Sequence, residues 1–412
     1  MNKIDPFGMS RRATAALLFA VFTVALGYGV LLPVLPHFVE SLSPGISLEA
    51  VGSHTGFLTS VYAGAPLIFA QLWGRLSDHR GRRPILLIGL VGFGVTMVMT
   101  ALAPDLRWLY AGRFLNGVFA SAVLPAAQAY IGDRTVSDVW RAQRLAWLGM
   151  ASIAGFFVGP MLGGVVLKID TAGNSMPAAQ LLAVLLLLSA GIAFVGAVSM
   201  LGLESGTPSA KPQETGERIE WNSAIAVRLL LLTGVVATAI TVFEVGLALR
   251  GRALGLTPYE VGVMFAECSL VMFAVQGFVF SPVVKPSSTA KLIAPALVAM
   301  AVGLFLVPYA DAFGTRLVVV GTVAASAGLL IPTLTYWISL RAGSARGALL
   351  GRQASIASIG QAMGSAGGGF LLGFEDAPYL VFLLLAVLVL IFAAASLGLA
   401  GLLSAARQPR TN

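Results

Sequence analysis

The chain has 412 residues; 57% are hydrophobic, only 11% are charged, and the formal net charge is +8. Soluble domains carry about 25% charged residues, so this chain lacks the polar surface of a water-soluble globule, and a lipid bilayer is its natural solvent. The positive charge might suggest a nucleic-acid partner, but the basic residues sit between long apolar runs, and that reading is set aside.

A helix crosses the hydrocarbon core with about 20 mostly apolar residues, and only helices or closed barrels satisfy the backbone there. The apolar runs are long and do not alternate, which predicts helices. Twelve follow in chain order: 12–36, 52–76, 83–103, 106–131, 144–167, 178–201, 224–249, 258–282, 290–309, 316–340, 346–372 and 378–403. The first follows Arg11 and Arg12 as a secretory signal would. It is too long for one and no small-residue cleavage site follows, so it is read as a retained helix. Between the sixth and seventh runs lies ESGTPSAKPQETGERIEWN, 204–222, rich in Pro, Gly, Ser and Glu. It reads as a flexible linker between an N-terminal bundle, 1–203, and a C-terminal bundle, 223–412. The predicted fold class is an all-α membrane protein of two pseudo-symmetric six-helix bundles.

Lys and Arg crowd the segments on one side of this topology. The other side keeps only Arg107, Lys168, Arg250, Arg252 and Arg316, with Arg113 inside a helix. The positive-inside rule then places both termini and the linker in the cytoplasm of a multi-pass inner-membrane protein. Cys268 is the one cysteine, so no intramolecular disulfide is possible.

The halves resemble each other. GFFVGPMLGG (155–164) aligns with GQAMGSAGGG (360–369) at an offset of 205, so Gly155, Gly159, Gly163 and Gly164 fall on Gly360, Gly364, Gly368 and Gly369. The same offset sets Gln71 on Gln276 and Arg141 on Arg346. Two six-helix repeats around a central site are a transporter architecture. Glycines at four-residue spacing let helices approach closely, and Pro160 among them removes a backbone bond.

GRLSDHRGRRP, 74–84, gathers four arginines and one aspartate in an otherwise uncharged region. Pro84 suits the first turn of the third helix, and Gly81 permits the tight turn before it. Asp78 lies near the C-terminal end of the second helix, where a negative charge opposes the helix dipole. It therefore needs a partner, and Arg82 can supply one. Gly74, Asp78, Gly81, Arg82, Arg83 and Pro84 resemble motif A of the major facilitator superfamily. RFLNG, through Arg113 and Gly117, resembles its motif B, and Gly155, Gly159, Pro160, Gly163 and Gly164 resemble motif C, with Ala146 in place of that pattern's first glycine. The resemblance covers the whole chain. It implies alternating-access transport, and through motif C an antiporter of the drug:proton type. It also implies a cytoplasmic gate in which Asp78 meets Arg82, Asp133 and the start of the eleventh helix near Ser344 to Gly347. The second copy, VFSPVVKPSST, has lost the charges, so any such gate is one-sided. The first run, 12–36, carries no acid, unlike helix one of several multidrug exporters of the family.

Ionisable residues within the membrane are costly and default to function. Three occur: Arg113, Glu244 and Glu267. Glu244 lies about 24 Å along its helix from Arg228, and Glu267 about 14 Å in from Pro258, which leaves them roughly 6 Å apart in depth on antiparallel neighbours. A carboxylate at that depth can load a proton from one side and release it to the other, so Glu267, then Glu244, are the candidate coupling acids. Arg113 is the third candidate for proton coupling, from the N-terminal half, since it can favour a nearby ionised acid or attract an anionic substrate. Tyr28, Tyr62, Asn116, Gln128, Gln276, Tyr336, Trp337 and Gln361 are candidate cavity-lining residues.

No G-x-x-x-x-G-K-[ST] or H-E-x-x-H occurs, so neither a nucleotide-hydrolysing nor a metalloprotease site is expected. No cofactor and no metal are implied. The expected function is a proton-coupled secondary transporter, acting as a monomer in the lipid bilayer, that exports a small organic molecule. The alternative is a proton-driven importer of the same fold, or an exporter of a siderophore or metabolite.

Overall fold

The computed structural model describes residues 9–134, 138–171, 178–204, 224–253, 256–279, 286–310, 312–341, 346–372 and 379–405. The described residues are almost wholly helical: α1 Arg11–Leu42, α2 Leu48–Arg80, α3 Arg82–Ala101, α4 Leu106–Arg134, α5 Asp138–Thr171, α6 Ala178–Met200, α7 Ala224–Ala253, α8 Pro258–Val279, α9 Ile293–Leu306, α10 Phe313–Arg341, α11 Arg346–Leu372, α12 Leu380–Ser396 and α13 Leu399–Ala405. Every predicted run has its helix. Ten stretches of the described helices are long and apolar enough to cross a membrane unaided, and Leu380–Ser396 is a shorter apolar one. The protein is an all-α membrane protein of the predicted class.

The differences lie at the ends, where polar residues extend helices beyond their apolar runs. Ser10 and Ser47 cap α1 and α2 by accepting from the amides of Ala13 and Ala50. Asp105 accepts from Trp108 N at the start of α4. Thr257 and Glu260 form a reciprocal capping box at α8: Thr257 N donates to Glu260 Oε2 at 2.8 Å, and Glu260 N donates to Thr257 Oγ1 at 3.3 Å. The run predicted at 290–309 opens with a tighter 3₁₀ turn, Pro286–Leu292. The run at 378–403 is divided, ending at Ser396 and resuming at Leu399. Apart from Glu204, the linker lies outside the described residues.

Two compact units emerge. One comprises 1–213 with 248–266; the other comprises 214–247 with 267–412. In the first, buried apolar residues of α1, α3, α4 and α6 form the core, centred on Leu31, Leu35, Phe93, Met97 and Leu185 toward one end and Leu17, Leu86, Leu90 and Ala127 toward the other.

The glycine spacing read from the sequence becomes one packing device used twice. In the first unit, Gly155, Gly159 and Gly163 of α5 lie against the backbone of α1. A methyl group on Gly159 would stand 2.6 Å from Leu26 O, and one on Gly163 would stand 3.1 Å from Val30 O. In the second unit, Gly360 and Gly364 of α11 meet α7, where the same methyl would stand 2.5 Å from Gly234 O and 2.7 Å from Thr238 O. Helix five on helix one and helix eleven on helix seven are thus the same seam, as a repeat requires. Gly164, at the end of the first set, faces Gly262 of α8 within the first unit. Gly159→Ala is expected to destabilise the protein by about 1–3 kcal/mol, because the obstructing atoms are backbone and cannot rotate away. Gly149→Ala, where nothing lies within 4 Å, should be neutral. Thermal unfolding of the two variants in detergent decides it; equal midpoints would mean that the seam yields.

Candidate functional site

Between α2 and α3 the chain turns on one residue. Gly81 has φ +91°, a conformation that costs an L side chain energy, and this sets Arg82 directly after the end of α2. Arg82 is the hub of a small network. Its guanidinium forms an ion pair with Asp78 one turn back, donates Nε to Asp133 Oδ2 at 2.9 Å, and donates Nη1 to Ser77 Oγ at 2.6 Å. Asp78 nevertheless remains 53% exposed, which leaves its carboxylate open to a further partner. Arg83 reaches elsewhere: Nη2 donates to Leu201 O at 2.7 Å, at the end of α6. Arg134 does the same for Glu204 O while its guanidinium lies over the Tyr130 ring. A methyl on Gly74 would meet nothing within 4 Å. Of the α11 start expected to join this cluster, Ser344 and Ala345 lie outside the described residues.

Arg113, one of the largest fully buried side chains, is only 1% exposed. Its guanidinium carbon stands 4.4 Å from the centroid of Tyr62 and 5.9 Å from that of Tyr28, and its Nε and Nη1 have no hydrogen-bond partner. The two tyrosine rings stack at 4.9 Å, Tyr28 stacks on Phe156 at 5.9 Å, and Phe156 meets Phe265 edge-on at 6.3 Å. Sequence reading named both tyrosines but not their partnership with Arg113, nor Phe156 and Phe265, because nothing in a single chain says which faces of α1, α2, α4 and α5 converge.

In the second unit, Glu267 is half-buried on α8. Its Oε1 lies 3.3 Å from where a methyl on Gly321 of α10 would stand, and its Oε2 is buried without a hydrogen-bond partner. Glu244, on α7, is also half-buried. Cys268 is buried, and its thiol lies within electrostatic reach of both carboxylates. Gly321 had no signal in the sequence beyond being a glycine.

The remaining candidates separate. Asn116 is buried and donates Nδ2 to Thr96 Oγ1 of α3 at 3.0 Å. Trp337 is buried and donates Nε1 to Thr289 Oγ1 at 3.1 Å. Both tie neighbouring elements together inside their own bundles, although Asn116 Oδ1 is buried without a hydrogen-bond partner among the described residues. Gln276 and Tyr336 are half-buried, while Gln128 and Gln361 are exposed. Among the described residues, no group of three or more His, Cys, Asp or Glu could hold a metal ion. A groove of about 500 Å³ is lined by the mostly apolar surface of Phe19, Val184, Leu187, Leu188, Gly191, Ile192 and Val195 and contains none of the residues above.

Comparison with known proteins agrees with this architecture. The model of the Major Facilitator Superfamily matches residues 17–364. Multidrug resistance protein 2 of Bacillus subtilis (strain 168) is 26% identical over 359 residues, 86% of this chain and 87% of that one. The class G tetracycline resistance protein of Vibrio anguillarum is 37% identical over 171 residues, 42% of each chain. Among solved structures, the human organic anion transporter MFSD10 (TETRAN) superposes with a TM-score of 0.66 at 19% identity, covering 93% of this chain and 99% of its own.

Proposed function

Since this chain belongs to the major facilitator superfamily, a family of membrane transporters, we propose that it is a proton-coupled exporter of a small organic molecule. Its place is the bacterial inner membrane, with both termini in the cytoplasm, and it works as a monomer by alternating access. Relatives named for multidrug and tetracycline resistance support export, the former along 86% of the chain. The observation that carries proton coupling is Glu267: a carboxylate in the middle of an apolar helix, packed against Gly321, with one oxygen buried and unbonded. Such an oxygen binds and releases a proton with no hydrogen bond to break first among the described residues. Glu244 is its proposed helper on the neighbouring helix, and Asp78, Arg82 and Asp133 form the proposed cytoplasmic gate, with Gly81 shaping the turn that carries it.

The test is the direction of movement. Everted membrane vesicles acidified inside should accumulate a fluorescent aromatic substrate when they contain this protein, and collapse of the gradient should release it. Loss of the substrate from preloaded vesicles under the same gradient would instead identify an importer, and indifference to the gradient would remove proton coupling.

A further inference from the structure

We infer that Arg113, Tyr28 and Tyr62 form a recognition site for the acidic group of a planar aromatic substrate; this names the substrate class of the proposed exporter and rests on that reading. The first observation is charge. A guanidinium that is 1% exposed is costly in a low dielectric unless it is paired, yet its Nε and Nη1 bond to nothing. The groups that act on it electrostatically are the two tyrosines, with no carboxylate among them. Nη2 bonds to no described residue either, so the arginine keeps a planar fork of donors free, the geometry that fits a carboxylate by two parallel bonds.

The second observation is the rings. Tyr62 and Tyr28 offer their π faces to the cation at 4.4 and 5.9 Å, which partly offsets its desolvation and keeps it in place without a counter-ion. Both tyrosines are half-buried while the guanidinium beneath them is covered. They are thus the lid of the cation, and rotation of one tyrosine side chain uncovers the fork. The row continues through Phe156 to Phe265, so an aryl group entering beside Tyr28 meets further ring edges and faces at the offset and edge-on distances that aromatic pairs favour. An acidic head on a flat ring satisfies both halves of the site together. A cationic head would meet an uncompensated positive charge.

The purified full-length protein in detergent, titrated calorimetrically with 2-naphthoate, 2-naphthamide and 2-naphthylmethylammonium, tests this. Naphthoate should bind about tenfold more tightly than its neutral amide, the usual worth of a charge-assisted contact, and the ammonium should bind weakest. Arg113→Gln should erase the preference, so that naphthoate and naphthamide bind alike, and Arg113→Lys should lose most of it, since a point charge lacks the fork. Tyr62→Leu should weaken acid and amide alike. Equal or tighter binding of the amide or the ammonium, absence of saturable naphthoate binding, or a preference that survives Arg113→Gln would overturn the inference. If Arg113→Gln does not fold, the wild-type comparison of acid with amide still decides. Binding needs no proton gradient, so a protein that prefers naphthoate but moves nothing in vesicles refutes the export reading alone, and one that exports yet prefers the amide refutes this one alone.

Discussion

Glu267→Gln reconstituted into proteoliposomes should lose gradient-driven accumulation down to the level of empty vesicles, while substrate exchange across a membrane without a gradient continues. Glutamine keeps the volume beside Gly321 and resembles the protonated acid permanently. A carrier locked in that form can still turn over with substrate bound on both sides, because exchange requires no net proton movement. Glu244 lies nearer the end of its apolar run, close before Arg250, so Glu244→Gln should slow transport or shift its pH optimum without abolishing it. Gly321→Ala is the companion test. Its methyl group would stand 3.3 Å from Oε1, so the carboxylate must shift, and coupling should weaken although no ionisable group is touched. If Glu267→Gln drives accumulation like the wild type at both acidic and neutral pH, the carboxylate is not the coupling site, and the proton path must run near Arg113 and Asp133.

Asp78→Asn should leave the protein folded and inserted yet reduce transport to a small residue of the wild-type rate. The substitution preserves shape but removes the ion pair with Arg82. Arg82 keeps Asp133 and Ser77, so the turn at Gly81 stays formed and the loss is confined to the exposed carboxylate. A loop that merely directs insertion would be indifferent, because orientation depends on Lys and Arg and little on Asp. Wild-type transport by purified, reconstituted Asp78→Asn would remove the gate. The double variant Asp78→Asn with Asp133→Asn separates the two acids: if they act through Arg82 as one unit, it should be no worse than the more damaging single variant.

What was legible in the sequence followed from periodicity and composition. Long uninterrupted apolar runs can only be spanning helices, so each run had its helix. The glycines of α5 and α11 announced close approach, and their spacing matched because both seams do the same work. Helix ends were less legible. α5 begins at Asp138, well before its apolar run, since a helix can continue on polar residues such as the exposed Gln143 once it leaves the hydrocarbon. Which helices meet which was not legible. Asn116 and Trp337 stood out because an amide or an indole in a membrane helix asks for a partner, and the sequence could not show that Thr96 and Thr289 each supply one. Arg113 had the opposite fate: its position was plain, and its tyrosine lid emerged only when α1 and α2 were placed against α4.

Cys268 is the one sulfhydryl in 412 residues, and it is buried. For a bulky maleimide reagent the native protein is therefore nearly silent, and no cysteine must be removed before reporters are introduced. A cysteine placed at Leu102, 65% exposed at the end of α3, would be the single labelled site on an otherwise unaltered carrier. A second at Tyr309, 62% exposed, would give a dye pair whose separation could be followed through the transport cycle by energy transfer, molecule by molecule.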